Sequence, residues 1–290
     1  MLSYRPFWPR LACVLAALAG LISCGGTSDK RYPFQGQILS LSADGKEASI
    51  KHEDIPGFMS AMTMTYKVKD AAEFVDLKPG DLIGATLVVV SNDAYLTEVK
   101  KVGEAPLEKP AQSAPPASSG FELLKPGEAV PDVDFVDQDG KKRPFASFRG
   151  SPVVLTFIYT RCPMPTFCPL MDRHFTSIQT ELAADPALSA VRLASVSFDP
   201  ATDTPAVLKN HAAKLGADLK RWSFLTGDRD EIDRFATRFG VSIVRELNDA
   251  GDITHTLRTA VVDGRGMVFK VYTGNSWTPD QIVADLRQLG

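Results

Sequence analysis

Apolar and polar positions change their rhythm twice along this chain. From about residue 31 to 102 they alternate in short runs, the period-two pattern of half-buried strands. The runs 34–41, 48–52, 62–68, 82–90 and 95–99 predict five strands. Ala43-Asp44-Gly45, Lys78-Pro79-Gly80 and Ser91-Asn92-Asp93 supply the turn chemistry between them. Five short strands predict a small all-β barrel. From 121 to 290 longer apolar runs alternate with amphipathic stretches. Strands are predicted at 153–159, 192–198, 222–225, 257–262 and 267–272, and helices at 169–184, 204–215, 229–239 and 279–289. Asp263-Gly264-Arg265-Gly266 marks a hairpin between the last two strands. This half reads as an α/β domain, a mixed sheet flanked by helices. No internal repeat is visible.

Between the two halves, Gly103 to Gly120 reads GEAPLEKPAQSAPPASSG. Pro, Ala and Ser replace any periodicity, so 103–120 is predicted to be a linker spanning roughly 20–25 Å as a coil. The domain plan is therefore 1–23 leader, 24–30 tether, 31–102 barrel, 103–120 linker and 121–290 α/β domain. The leader opens with Arg5 and Arg10 and continues with the uncharged run 11–22, too short to span a bilayer comfortably. It ends in Leu21-Ile22-Ser23-Cys24-Gly25, which resembles a bacterial lipobox and implies cleavage before Cys24 and lipid on its sulfur. The chain's net charge of −3 becomes about −5 without the two leader arginines. Nothing here is the basic footprint of a nucleic-acid-binding protein.

Of four cysteines, Cys13 leaves with the leader and Cys24 carries lipid, so Cys162 and Cys168 are the free pair. They bracket Pro163-Met164-Pro165-Thr166-Phe167, between a predicted strand and a helix opening at Pro169. Thiols there are expected to be exposed, and the helix N-terminus favours their thiolate form. Thiolate binds soft metals and attacks disulfides. A purely structural disulfide closing so short a loop would stabilise little. If the 257–262 strand runs antiparallel, Cys162, Cys168, Asp199 and His255 reach one edge of the sheet.

Several segments together resemble the Sco/SenC family of thioredoxin-fold copper proteins: Phe148-Arg149-Gly150, Phe157-Ile158-Tyr159-Thr160-Arg161-Cys162-Pro163, Cys168-Pro169, Ser197-Phe198-Asp199-Pro200, Asp203-Thr204-Pro205 and 252–256. The resemblance covers most of 121–290. It implies a thioredoxin-like fold and copper bound by two Cys and one His, here Cys162, Cys168 and His255. It also implies a part in assembling the dinuclear copper centre of cytochrome oxidase. Thiolates select Cu(I), and imidazole accepts Cu(I) and Cu(II). Asp199 is expected to support the ligands rather than bind. The family pattern has three residues between its cysteines; this chain has five. Met164, inside that loop, is expected to be exposed or packed, with a role as an extra soft ligand as the alternative. His174 lies six residues beyond Cys168, about 600° of helical rotation, and points elsewhere. His211 is read as a satisfied or solvated histidine.

A second constellation runs from His52 to Met64: HEDIPGFMSAMTM. Met62 and Met64 face one side of a strand, and His52 ends the strand before it. Two thioethers and an imidazole suit Cu(I) or Ag(I) rather than a hard cation; a Met-lined barrel core is the plainer reading. The stretch resembles the periplasmic copper-binding domain of the CusF type. That family caps its metal with a Trp a few residues before the methionines, where this chain has Met59, a third candidate sulfur.

The expected function is a copper chaperone, lipid-anchored at the periplasmic face of a bacterial membrane. It would collect Cu(I) on the barrel and deliver it from the Cys/His site to the copper-centre subunit of cytochrome c oxidase or another acceptor. The alternative is a thiol-disulfide reductase that keeps an acceptor's cysteines reduced. In an oxidising compartment Cys162 and Cys168 tend to form a Cys162–Cys168 disulfide, so either role implies a thioredoxin-like periplasmic reductant as partner.

Overall fold

The structure, a computed structural model, describes residues 29–59, 61–107, 122–245 and 253–289. The leader, with Cys24 and its lipidation, lies outside them. Five strands come first: β1 (Lys30–Leu41), β2 (Glu47–His52), β3 (Met62–Val68), β4 (Asp81–Val89) and β5 (Ala94–Glu104). They close into a barrel in the order β1-β2-β3-β5-β4, with β4 returning to β1. Only the short β3–β5 pairing is parallel.

Alternation decides which face turns inward. Ala48, Ile50 and His52 of β2 are buried, as are Met64, Tyr66 and Val68 of β3. Phe34, Ile38, Ile83, Leu87 and Leu96 fill the rest of the interior. Gly36 lets β1 lie against β2, because a Cβ there would stand 2.6 Å from Ile50 Cγ2. β5 runs longer than the sequence suggested. Gly103 and Glu104 still pair with Leu82 and Asp81. The predicted linker therefore loses its first two residues to the barrel, where ladder hydrogen bonds outweigh the composition. Residues 108–121 lie outside the described segments.

The remaining strands are β6 (Asp134–Asp137), β7 (Lys142–Pro144), β8 (Val153–Ile158), β9 (Arg192–Ser197), β10 (Trp222–Gly227), β11 (Ile243–Arg245), β12 (Ile253–His255), β13 (Arg258–Val262) and β14 (Val268–Thr273). The helices are α1 (Cys168–Ala184), α2 (Pro205–Leu215), α3 (Arg229–Arg238) and α4 (Pro279–Leu286). Seven of the strands form one mixed sheet, β14-β13-β8-β9-β10-β6-β7. β8, β9 and β10 are parallel, and β13 runs antiparallel to β8. Every residue of β8 is buried, as a strand covered on both faces requires. β6, β7, β11 and β12 were not predicted; three or four residues are too few to show a period.

Helix ends follow local chemistry. Thr204 caps α2 through its hydroxyl, Pro205 occupies the first turn, and Gly216 closes the helix at φ 64°. α1 starts one residue earlier than predicted, at Cys168. Among the described residues no helix is long and apolar enough to cross a membrane.

Candidate metal centre

The antiparallel arrangement assumed from sequence is present, and it has the expected consequence. Cys162 follows the carboxyl end of β8, Asp199 follows that of β9, and His255 ends β12, just ahead of β13. Cys168 is the first residue of α1, across a loop turned by hydrogen bonds from Cys162 N to Tyr159 O (3.3 Å) and from Phe167 N to Met164 O (3.1 Å).

Cys168 Sγ and His255 Nε2 stand 3.5 Å apart. His255 Nδ1 donates to the Thr256 carbonyl at 3.2 Å, which leaves the Nε2 lone pair facing the sulfur. Phe198 packs on the imidazole at 4.5 Å between ring centroids, and Tyr159 meets it edge-on at 5.7 Å. Burial in this apolar setting lowers the His255 pKa to about 4, so the ring is neutral and its lone pair free at neutral pH.

The two cysteines differ. Cys162 and Cys168 are both free thiols, Cys162 half-buried and Cys168 buried. A hydrogen bond from the Cys168 thiol holds the Cys162 pKa below its ordinary value against the cost of burial. Burial pushes the Cys168 thiol well above its ordinary value. This corrects the expectation of two exposed thiols both favoured as thiolates: at Cys168 desolvation outweighs the helix N-terminus. Among the described residues no three His, Cys, Asp or Glu side chains form a completed metal shell. Cys162 and Cys168 interact with each other, and Cys168 in turn faces His255.

Asp199 binds the Arg161 guanidinium, with Arg161 Nε donating at 2.8 Å, and so steadies the residue beside Cys162. Asp203 is fully buried, and sequence reasoning places it only in a motif. It accepts from Thr160 N (3.0 Å), Thr160 Oγ1 (2.5 Å) and Ser197 Oγ (2.6 Å), tying the exits of β8 and β9 together under the cysteine loop. An Asp just ahead of a Thr-Pro helix start was the available signal. The two set-aside histidines are engaged elsewhere. His211 Nε2 donates to Asp172 Oδ2 at 3.0 Å, and His174 packs edge-on against Trp277 at 4.6 Å.

In the barrel, His52 lies directly opposite Met62 and Ile50 opposite Met64. Side chains at such paired positions are neighbours on one face, so His52, Met62 and Met64 meet at one end of the barrel. His52 Nδ1 donates to the Glu53 carbonyl at 2.7 Å, while its buried Nε2 has no hydrogen-bond partner among the described residues. An orphaned basic nitrogen beside thioethers suits a soft metal. Burial also lowers the His52 pKa, keeping that nitrogen unprotonated. Met59, where the related pattern has Trp, is buried, and Tyr66 Oη lies 3.7 Å from its sulfur. Aromatic enclosure comes instead from Phe34 and Tyr66, each with its ring centroid 5.6 Å from that of His52.

The SCO1/SenC family model matches residues 123–290. The chain belongs to the SCO1/SenC family. Residues 31–101 match a second family, described as copper binding periplasmic protein CusF. The SCO1 protein homolog of Bacillus subtilis (strain 168) is 36% identical over 160 residues, 54% of this chain and 81% of that protein. A SCO1/SenC family lipoprotein from Bacillus anthracis str. Ames has a crystal structure that covers 58% of this chain and 98% of its own, at 28% identity and TM-score 0.51. BsSco, described as a member of the Sco family of cytochrome c oxidase assembly proteins, is 33% identical over 58% of this chain and 96% of its own, at TM-score 0.49. The thioredoxin-like fold with an added β-barrel is thus established, and copper is the cofactor that this SCO1/SenC chain with a CusF module calls for.

Proposed function

We propose that the chain is an exported copper chaperone, tethered to the membrane through lipid on Cys24. It holds Cu(I) at Cys162, Cys168 and His255 and, separately, at His52, Met62 and Met64 with Met59 as a further sulfur. It passes the metal to the copper-centre subunit of cytochrome c oxidase or a similar acceptor. The arrangement of free lone pairs carries this reading. Each module presents a neutral, buried imidazole whose Nδ1 is tied to a backbone carbonyl and whose Nε2 points at sulfur or at no partner. Family membership and the CusF match support both the metal and the acceptor class. Thiolates bind Cu(I) more firmly than thioethers, which gives transfer a direction from barrel to cysteines. Both thiols must be reduced to serve, so a thioredoxin-like reductant is part of the proposal.

Copper stoichiometry on the reduced chain tests it. Two Cu(I) per chain should fall to one in Cys162→Ser/Cys168→Ser and to one in Met62→Ile/Met64→Ile. Retention of both coppers without the cysteines would sink the Cys/His site. A second reading, thiol-disulfide reductase, draws on the asymmetric thiols: a favoured thiolate at Cys162 beside a protonated partner at Cys168 suits disulfide exchange. His255→Ala separates the two readings, since it should abolish tight copper binding at this site and leave exchange with small disulfides intact.

A further inference from the structure

Members of both soft-donor sets line one cavity. A space of ≈ 340 Å³ lies between the barrel and the sheet edge, with Met59, Met62 and Met64 on one side and Cys162, Met164 and His255 on the other. Met164 comes from the cysteine loop but is packed into the other module. It is only 4% exposed and belongs to the apolar cluster of the barrel, with Met59, Met64 and Tyr66. Cys162 and Phe167 pack against the cores of both modules.

The chain fixes Met164 there by several independent means. Prolines on either side restrict the backbone, so the side chain is presented with little freedom. Arg173 Nη2 donates to the Pro165 carbonyl (2.9 Å) and to the Asn92 carbonyl (3.3 Å), stapling the loop to the barrel's β4–β5 turn. From the other side, Thr254 Oγ1, next to His255, reaches Met62 Sδ at 3.5 Å. Cys162 Sγ stands 3.9 Å from the Met164 carbonyl. Met164 therefore sits in the cavity between the barrel methionines and Cys162.

We propose that Met164 is a transfer ligand, and that the docked modules are a handover complex in which Cu(I) crosses from barrel to cysteines without entering solvent. This rests on the two-site reading above and adds the route. A bare cation in a largely apolar cavity would lack compensation for its lost water. A thioether at the midpoint supplies a donor, and being neutral it releases copper to thiolate. In the first step a Cu–S bond to Met164 forms as one to Met62 or Met64 breaks. In the second, bonds to the Cys162 and Cys168 sulfurs form as the bonds to Met164, His52 and the remaining barrel methionine break. Copper remains Cu(I) throughout. Any thiol that enters the shell releases its proton to solvent, so no oxidant or reductant is consumed.

The test uses the two-module chain labelled with methyl-13C methionine, and Cu(I) as the probe. In Cys162→Ser/Cys168→Ser, copper stops before the cysteines, and one equivalent should shift the methyl resonances of Met62, Met64 and Met164 together. In the reduced chain, stopped-flow growth of the thiolate-to-Cu(I) ultraviolet band should be first-order and independent of protein concentration. Met164→Leu keeps the apolar volume, and so the docking, yet should slow that phase at least tenfold. Shifts confined to Met62 and Met64, with an unchanged rate in Met164→Leu, would overturn the route and leave the two-site chaperone standing. No shift at Met62 or Met64 would overturn the barrel site and the route with it.

Discussion

His255 is buried as a neutral base, and this couples stability to pH. Its pKa falls from the ordinary 6.5 to about 4 on folding, through burial. The unfolded chain therefore takes up a proton first as the solution is acidified. Stability from this residue is complete above about pH 6.5 and is lost progressively between there and pH 4. At ~1.4 kcal/mol per pH unit the loss amounts to about 3 kcal/mol. Denaturant titrations of wild type and His255→Asn across pH 7 to 4 should show the wild type losing about that much more. Parallel losses in both would mean that another group carries the acid sensitivity. The raised thiol of Cys168 gives copper affinity the same direction with pH: copper must displace its proton, so affinity should rise with pH through neutrality.

Among the elements, the β11–β12 hairpin has the most to do with the site, because β12 ends on His255. It stands apart from the main sheet, paired only strand to strand. Arg245 anchors it. Its guanidinium donates to both Asp233 carboxylate oxygens (2.6 and 2.8 Å) and to the Phe198 carbonyl (2.6 Å), the residue that packs on the His255 ring. Arg245→Ala should therefore weaken Cu(I) binding at the Cys/His site by about 10- to 100-fold, the range seen when residues that orient metal ligands are removed. Competition with a Cu(I) chelator would measure it. Binding at the barrel site should stay within twofold, and an equal loss at both sites would refute a local role for the hairpin.

Across the whole molecule, the staple at Arg173 is expected to favour the docked arrangement of the two modules. Its two hydrogen bonds bridge the cysteine loop and the barrel at a partly exposed position. Losing them should cost about 1 kcal/mol, which lowers the docked-to-open ratio about fivefold. Small-angle scattering of Arg173→Ala should then report a larger radius of gyration than wild type, with two copper sites still present. An unchanged radius would show that Met164, Cys162 and Phe167 hold the interface without it.

Much of this protein was written in local pattern. The period of two over 48–52 and 62–68 placed His52, Met62 and Met64 on one inward face. The all-buried run of β8 placed Cys162 at a strand's carboxyl end, and the turn at 263–266 forced β13 and β14 into a hairpin. These depend on neighbours within a few residues, which the sequence displays directly. Other features depend on contacts between distant segments. The sequence could not show that Cys168 would be buried deeply enough to resist ionisation, because desolvation depends on what packs over a side chain. Asp203 became the tie between two strand exits only once β8 and β9 lay side by side. Met164, unremarkable as one residue between two prolines, acquired its position when the barrel closed over the cysteine loop.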